Sequence, residues 1–308
     1  MKQLIKGFQI SFLALALLGL ALLTFALDGK PASSRYNTLN FGVIPWTDAS
    51  VLKDFHGRFL TYLSEQIGIE VVLNIAPDYA SLQKDIAMNN IQIAAFPAGA
   101  YGDALISIPN KIRYLATKWH NNYFYQGYIF CLQKTPYQSL EEMRGGTIAF
   151  TDPGSSSGYK YPIAHLLRRE INPDIFFKKI FFVGSHSNVL NGVHNRRIEF
   201  GATYDKAFDA YQQKHRNPFR ILVSYKIPFG AYTASTALPD ELFNKIRKAL
   251  VRLNDQTRLK NGTLVLKDRK FLSGFIVKSD KIYANVISTI QLIRKYQKSI
   301  ASRQGSKK

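Results

Sequence analysis

The chain has 308 residues, with 41 basic against 21 acidic side chains, a net charge of +20 and a single cysteine. That length holds two domains of ordinary size, and a lone Cys131 excludes an intrachain disulfide, so each core must stand on packing alone. The basic residues fall in scattered clusters with no zinc-finger spacing, aromatic RNA-binding strand or basic zipper beside them, which argues against a nucleic-acid partner and for a solvated basic surface that favours anionic ligands and anionic lipid.

At the N-terminus, Lys2 and Lys6 precede an uncharged apolar stretch, residues 7–27. At roughly 20 residues it is long enough to span a bilayer, and its basic flank predicts export of the rest of the chain. Thr24-Phe25-Ala26 is a poor cleavage site and no cysteine nearby could accept a lipid, so residues 1–30 read as a signal peptide or a retained membrane anchor. A polar linker with Pro31, Ser33 and Ser34 follows, and ordered sequence begins with a short strand at 39–44 stopped by Pro45.

In residues 51–67, Leu52, Phe55, Phe59, Leu63 and Ile67 recur at three- and four-residue spacing, which predicts a helix buried on one face and ended by Gly68. A strand at 71–75, a helix at 79–88 and a strand at 91–96 continue the alternation typical of βαβ units. A β-branched and aromatic run at 123–132 reopens the pattern, with Cys131 inside it as a buried small hydrophobe. A short helix at 139–146 leads to a strand at 147–150. Beyond it come a strand at 176–183, a helix at 187–196, strands at 198–203 and 221–224, a strand-like segment at 232–237 and a helix at 239–254. Two α/β units result, with the chain crossing out near Phe130 and back near Ser224.

The most informative stretch is Thr151-Asp152-Pro153-Gly154-Ser155-Ser156-Ser157-Gly158-Tyr159, between the strand at 147–150 and an amphipathic run at 161–167. Three consecutive hydroxyls at the start of a helix, where amides are unpaired and the dipole is positive, form a pocket for an oxyanion. His186, placed after a strand and before a helix, could offer a charged or neutral N–H to the same anion. Tyr101 follows the small-residue approach Ala98-Gly99-Ala100, which lets backbone come close to a ligand. His56, His120, His165, His194 and His215 show no metal-ligand spacing with one another or with Cys131, so neither a metal site nor a cofactor is expected.

The same loop also spells Gly154-x-Ser156-x-Gly158, the pattern of a nucleophile elbow, which makes a serine hydrolase with Ser156, His186 and Asp205 a rival reading. Three features weigh against it. The acid would follow the histidine instead of preceding it, no glycine-rich oxyanion loop lies upstream, and the flanking Ser155 and Ser157 suit several hydrogen bonds to one anion better than one activated nucleophile.

Residues 39–45, Pro77-Asp78-Tyr79, residues 93–101, residues 151–162, Gly184-Ser185-His186 and residues 198–205 resemble, in order and spacing, the periplasmic phosphonate-binding proteins of ABC transporters. The resemblance covers about residues 38–255; its most specific piece, Asp152 to Tyr159, is similar to the family's Asp-Pro-x-Ser-Thr-Ser-Gly-aromatic loop, with Ser156 in place of the threonine. It implies an α/β, two-lobed type II periplasmic-binding-protein fold, each lobe a mostly parallel sheet flanked by helices, with the ligand in the cleft between lobes. The lobes would be residues 36–129 plus 225–300 and residues 130–224, followed by a basic tail at 301–308. It further implies that Ser155, Ser156, Ser157 and His186 of the second lobe hold a phosphonate, phosphite or phosphate-like oxyanion while Tyr101, and Trp46 narrowing the pocket, close over it from the first. Asp205 would sit near the rim. Glu199 and Asp205 lie where some members hold an aminoalkyl group. The implied function is extracytoplasmic, periplasmic solute binding by a monomer through lobe closure, without catalysis, for an inner-membrane ABC permease. The alternative partner is a signalling protein for which the chain would act as a membrane-tethered sensor.

Overall fold

The structure, a computed structural model, describes residues 36–46, 48–120, 124–266, 273–278 and 280–305. The expected export segment lies outside them; among the described residues no helix is long and apolar enough to cross a membrane. The described residues from Thr38 onward form one compact unit.

In chain order the elements are β1 (Thr38–Val43), α1 (Ala49–Ile67), β2 (Glu70–Ile75), α2 (Tyr79–Ala87), β3 (Ile93–Phe96), α3 (Ala98–Ser107), β4 (Ile112–Trp119) and β5 (Phe124–Leu132). They continue with β6 (Thr147–Phe150), α4 (Tyr161–Arg168), α5 (Pro173–Phe176), β7 (Lys179–Phe182), α6 (His186–His194), β8 (Phe200–Tyr204), α7 (Asp205–Lys214) and β9 (Phe219–Pro228). The last are β10 (Ala231–Ser235), α8 (Asp240–Arg252), β11 (Gly274–Ile276) and α9 (Ala284–Gly305). Helix α1 buries Leu52, Phe59, Leu63 and Ile67, as its periodicity requires, and ends where Gly68 takes φ of 76° and donates to Ser64 O.

Two sheets divide the strands. The first runs β2-β1-β3-β10-β4-β11 and the second β7-β6-β8-β5-β9. Each is mixed where a mostly parallel sheet was expected: β1 pairs parallel with β2 and β3, and β6 with β7 and β8, but β10 and β5 run antiparallel to their neighbours. The reason is that β5 and β9 form one long antiparallel pair, from Phe124–Pro228 to Leu132–Phe219 with a register shift between Ile129 and Phe130, that carries the chain into and out of the second sheet. The chain therefore changes sheets between β4 and β5 and again between β9 and β10.

Helices α3 and α7 and strand β4 are absent from the periodicity reading. Helix α3 is too rich in Gly and Ala to show an apolar stripe, and six of its ten residues, Tyr101 among them, are buried. The 176–183 segment opens on α5, because Asn172 caps it and Pro173 fits a first helical turn; only Lys179–Phe182 is strand.

This topology fixes where a ligand can go. In both sheets the parallel strands point their carboxyl ends toward loops that feed helix N-termini, the usual place for a binding crevice in open α/β sheets. Trp46 follows β1, Tyr79 follows β2, Gly99 follows β3, the serine loop follows β6, His186 follows β7 and Asp205 follows β8.

Candidate functional site

The serine loop begins a helix one turn earlier than the sequence pattern indicates. Residues Ser156–Lys160 form a π-type turn, with Lys160 N donating to Ser155 O at 2.9 Å, that runs directly into α4. Such turns are rare and concentrate at functional positions. Ser155 caps the turn: its Oγ accepts from Gly158 N at 3.0 Å. Gly158 is obligatory, since a Cβ there would lie 2.1 Å from Thr151 Oγ1.

Ser156 reaches out of its own lobe. Its Oγ accepts from Gly99 N at 2.7 Å, a contact between the loop after β6 and the loop after β3. The hydroxyls of Ser155 and Ser156 thus accept from backbone N–H groups, which leaves their own hydrogens to donate elsewhere. Ser157 is held through its carbonyl, which accepts from Tyr225 OH at 2.9 Å. All three serines are at most 3% exposed.

Phenol rings close around them. The Tyr79 hydroxyl hydrogen-bonds the Ser155 side chain, and the Tyr125 hydroxyl those of Ser157 and Ser156. Burial pushes both phenols far above their ordinary range, so they are neutral O–H groups. Tyr125 stacks on Phe229 and meets Tyr204 edge-on, while Tyr161 stacks on Tyr225. Two hydroxyls in this neighbourhood, Thr151 Oγ1 and Tyr161 OH, are buried with no hydrogen-bond partner among the described residues.

His186 is 6% exposed; its Nδ1 pairs with Thr203 Oγ1 at 2.9 Å and its ring stands edge-on to Tyr204 at 4.8 Å. Desolvation pushes its pKa down to about 3, so the imidazole is neutral and offers an N–H without a charge. Asp205 is engaged by backbone: Oδ2 accepts from Gln126 N at 3.1 Å and Oδ1 from Lys206 N at 2.8 Å. With Ser156 bonded to Gly99, His186 Nδ1 to Thr203 and Asp205 to two amides, no Ser–His–Asp relay is assembled.

Trp46 is half-buried at the end of β1, edge-on to Phe55. Tyr101 is 1% exposed, its ring 4.8 Å from Tyr283 and 6.2 Å from Tyr114, in the core cluster that also holds Tyr79 and Tyr161 and against which Trp46 and Tyr125 pack. The structure brings Tyr79 and Tyr125 to the serines, and periodicity could not find them, since Tyr79 also reads as the first apolar residue of α2 and Tyr125 as one of many aromatics in β5. Glu199 sits at the opposite end of β6, accepting from Thr147 N, Thr147 Oγ1 and Tyr137 OH.

The arrangement is a buried cluster of neutral hydroxyls with aromatic rings around it, on loops that follow the parallel strands of both sheets. Comparison with known proteins agrees. The family model described as "ABC transporter, phosphonate, periplasmic substrate-binding protein" matches residues 41–283. The phosphate-import protein PhnD of Mycolicibacterium smegmatis is 25% identical over 248 residues, 74% of this chain and 77% of that one. The phosphonates-binding periplasmic protein of Escherichia coli is 22% identical over 200 residues, 64% of this chain and 59% of that one. The solved structure of PhnD1 from Prochlorococcus marinus, in complex with methylphosphonate, superposes with a TM-score of 0.74 at 17% identity, covering 84% of this chain and 99% of that one. That likeness establishes the two-lobed type II periplasmic-binding-protein fold. The chain belongs to the family of periplasmic phosphonate substrate-binding proteins of ABC transporters.

Proposed function

We propose that the chain binds a small tetrahedral oxyanion of the phosphonate, phosphite or phosphate class between its lobes and presents it, without chemical change, to an inner-membrane ABC permease. The observation that carries this reading is the gathering of neutral hydroxyls at one loop: Ser155 and Ser156 accept from the Gly158 and Gly99 N–H groups, and the serine side chains meet the Tyr79 and Tyr125 hydroxyls, bonds that an entering oxyanion would exchange for its own. Tyr79 and Tyr125 supply further neutral donors, and His186 an uncharged N–H. Trp46 and Tyr204 line the approach. Residues 36–129 with 225–300, and residues 130–224, are the bodies that close over the ligand. Residues 1–30 serve as the export signal or anchor, and the protein works as a monomer in the periplasm.

The same geometry narrows the ligand. Of the two carboxylates the sequence offered for an ammonium group, Asp205 is engaged by two backbone amides and Glu199 sits at the end of β6 opposite the serines. The favoured ligands therefore carry hydrogen, hydroxyl or a short alkyl group on phosphorus. Calorimetric titration with methylphosphonate, phosphite, phosphate and 2-aminoethylphosphonate tests both parts: at least one of the first three should bind, and the aminoalkyl compound should be at least about tenfold weaker. Ser156→Ala should weaken the best ligand by roughly tenfold to a hundredfold, the usual effect of deleting one hydrogen-bonding hydroxyl from a buried charged site. Absence of binding to all four would overturn the proposal.

A further inference from the structure

The end of the second sheet farthest from the serine loop carries a row of cations. Its five strands finish level with one another there: Thr147 pairs with Lys179, Ile148 and Cys131 both pair with Phe200, and Leu132 pairs with Phe219. Just beyond that line stand Lys178 before β7, Arg144 before β6, Arg196 and Arg197 before β8, Lys134 after β5 and Arg216 before β9, all exposed. Neighbouring strands lie about 4.8 Å apart, so these cations spread along an edge about 20 Å wide. None of them is in an ion pair among the described residues. The carboxylates nearby are engaged: Glu199 by Thr147 and Tyr137, Glu142 by Gln138 N and Glu141 by Arg169, although Lys178 also acts on Glu199. Ile175, 76% exposed, stands on the same edge, because Gly145 N donates to Phe176 O at 2.7 Å and Lys178 N to Gly146 O at 2.9 Å. The matching end of the first sheet differs. There β2 opens on Glu70, β1 and β3 follow the uncharged Asn37 and Gln92, and where α8 begins Arg113 pairs with Asp240 at 2.7 Å and Lys245 with Glu241 at 2.8 Å. The unpaired row is therefore a property of one lobe and more than a share of the general positive charge.

We infer that this edge is a docking surface for an anionic phospholipid bilayer, with the row of cations on the lipid phosphates and Ile175 entering the headgroup layer. Charge and shape both fit that occupant. Lipid phosphates form a continuous anionic plane, and long side chains set on level strand ends reach a plane together, whereas one small anion could meet only two or three of them. An apolar side chain among cations gains further by leaving water for the base of the headgroups. Each lysine or arginine brought to an anionic bilayer strengthens attachment about fivefold, through an attraction that salt screens beyond about 8 Å at physiological strength. The family's periplasmic location puts such a surface within reach. The inference goes beyond the binding reading above and does not depend on the anion in the cleft, since the serine loop follows the opposite end of β6.

The test uses the full-length chain with a fluorophore on Asn195→Cys, an exposed position beside Arg196, while Cys131, 0% exposed, stays unlabelled. Vesicles are made of phosphatidylcholine alone or with one-third phosphatidylglycerol, and both carry a quencher on a lipid headgroup. The apolar stretch at residues 7–27 meets both kinds of vesicle, so the difference between them reads the edge. Quenching should be at least about threefold stronger with phosphatidylglycerol, and the excess should vanish at about 0.5 M salt, where the screening length is about 4 Å. Replacing three cations of the row together, Arg144→Gln, Arg196→Gln and Arg197→Gln, should weaken attachment about a hundredfold and abolish the excess. Removing the same charge from the exposed side of α8, by Lys245→Gln, Lys248→Gln and Arg252→Gln, should leave the excess in place. All six positions are on helix surfaces or loops, so both triple variants should keep the parent's melting temperature. Equal quenching by the two kinds of vesicle would overturn the inference and leave the row to an acidic protein partner. Equal loss in the two triple variants would overturn it in favour of a diffuse attraction by the whole molecule.

Discussion

At the scale of single residues, the serine loop is surrounded by neutral groups. His186 illustrates the cost of keeping one such group uncharged. In the unfolded chain an imidazole takes up a proton as pH falls through about 6.5, whereas burial delays this in the folded protein to about 3. Between those values the unfolded state binds more protons, so stability falls as pH falls, with a slope of up to about 1.4 kcal/mol per pH unit; above about 6.5 this contribution is complete and flat. His186→Gln lacks it. Urea unfolding at pH 7, 6 and 5 should therefore show the stability gap between parent and variant narrowing toward low pH, and a constant gap would contradict a buried neutral imidazole. The sequence marked the three serines and His186 because a hydroxyl run at a strand–helix junction is rare in itself. Tyr79 and Lys160 lie in segments that carry the family resemblance, but neither they nor Tyr125 were assigned a role, since their types are common in cores and on helices and their contacts are closed by distant chain segments.

At the scale of elements, the serine turn and helix α1 respond differently to the same substitution. Gly158 sits under Thr151, and a methyl group there would meet Thr151 Oγ1 at 2.1 Å and Ser155 Oγ at 2.9 Å. Gly57 lies in the middle of α1 with nothing within 4 Å of its Cβ position. Gly158→Ala should destabilise the protein by about 1–3 kcal/mol through overpacking and loss of the Ser155 cap. Gly57→Ala should stabilise it by about 0.5–1 kcal/mol by removing backbone freedom from a helix. Chemical denaturation of both variants checks the signs. The elements with strong apolar periodicity, such as α1, were legible from sequence alone. Helix α3 was not, since small residues replace the stripe, and the antiparallel course of β5 against β9 was not, because strand direction is a property of pairing and leaves no mark on either strand.

At the scale of the whole molecule, α9 couples the two lobes. Ile290 and Val286 pack into the core around Tyr101 and Phe96, while Ile293 packs into the core around Phe150 and Phe200. Farther along, Tyr296 OH donates to Asn172 Oδ1 at 2.6 Å. One helix therefore contributes to both hydrophobic cores, and heat should unfold them in a single transition. Ile293→Ala should cost about 2–5 kcal/mol and lower that one transition; two resolved transitions in calorimetry would show that α9 does not join the lobes. The sequence by itself determined the α/β alternation, the place of the serine loop between a strand and a helix, and the family, because these reside in local periodicity and in one contiguous motif. Only the tertiary structure decided which tyrosines meet the serines, that His186 is neutral, and that Asp205 is occupied by backbone. Each of these depends on burial or on groups far apart in the chain, and desolvation and long-range pairing exist only once the chain is folded.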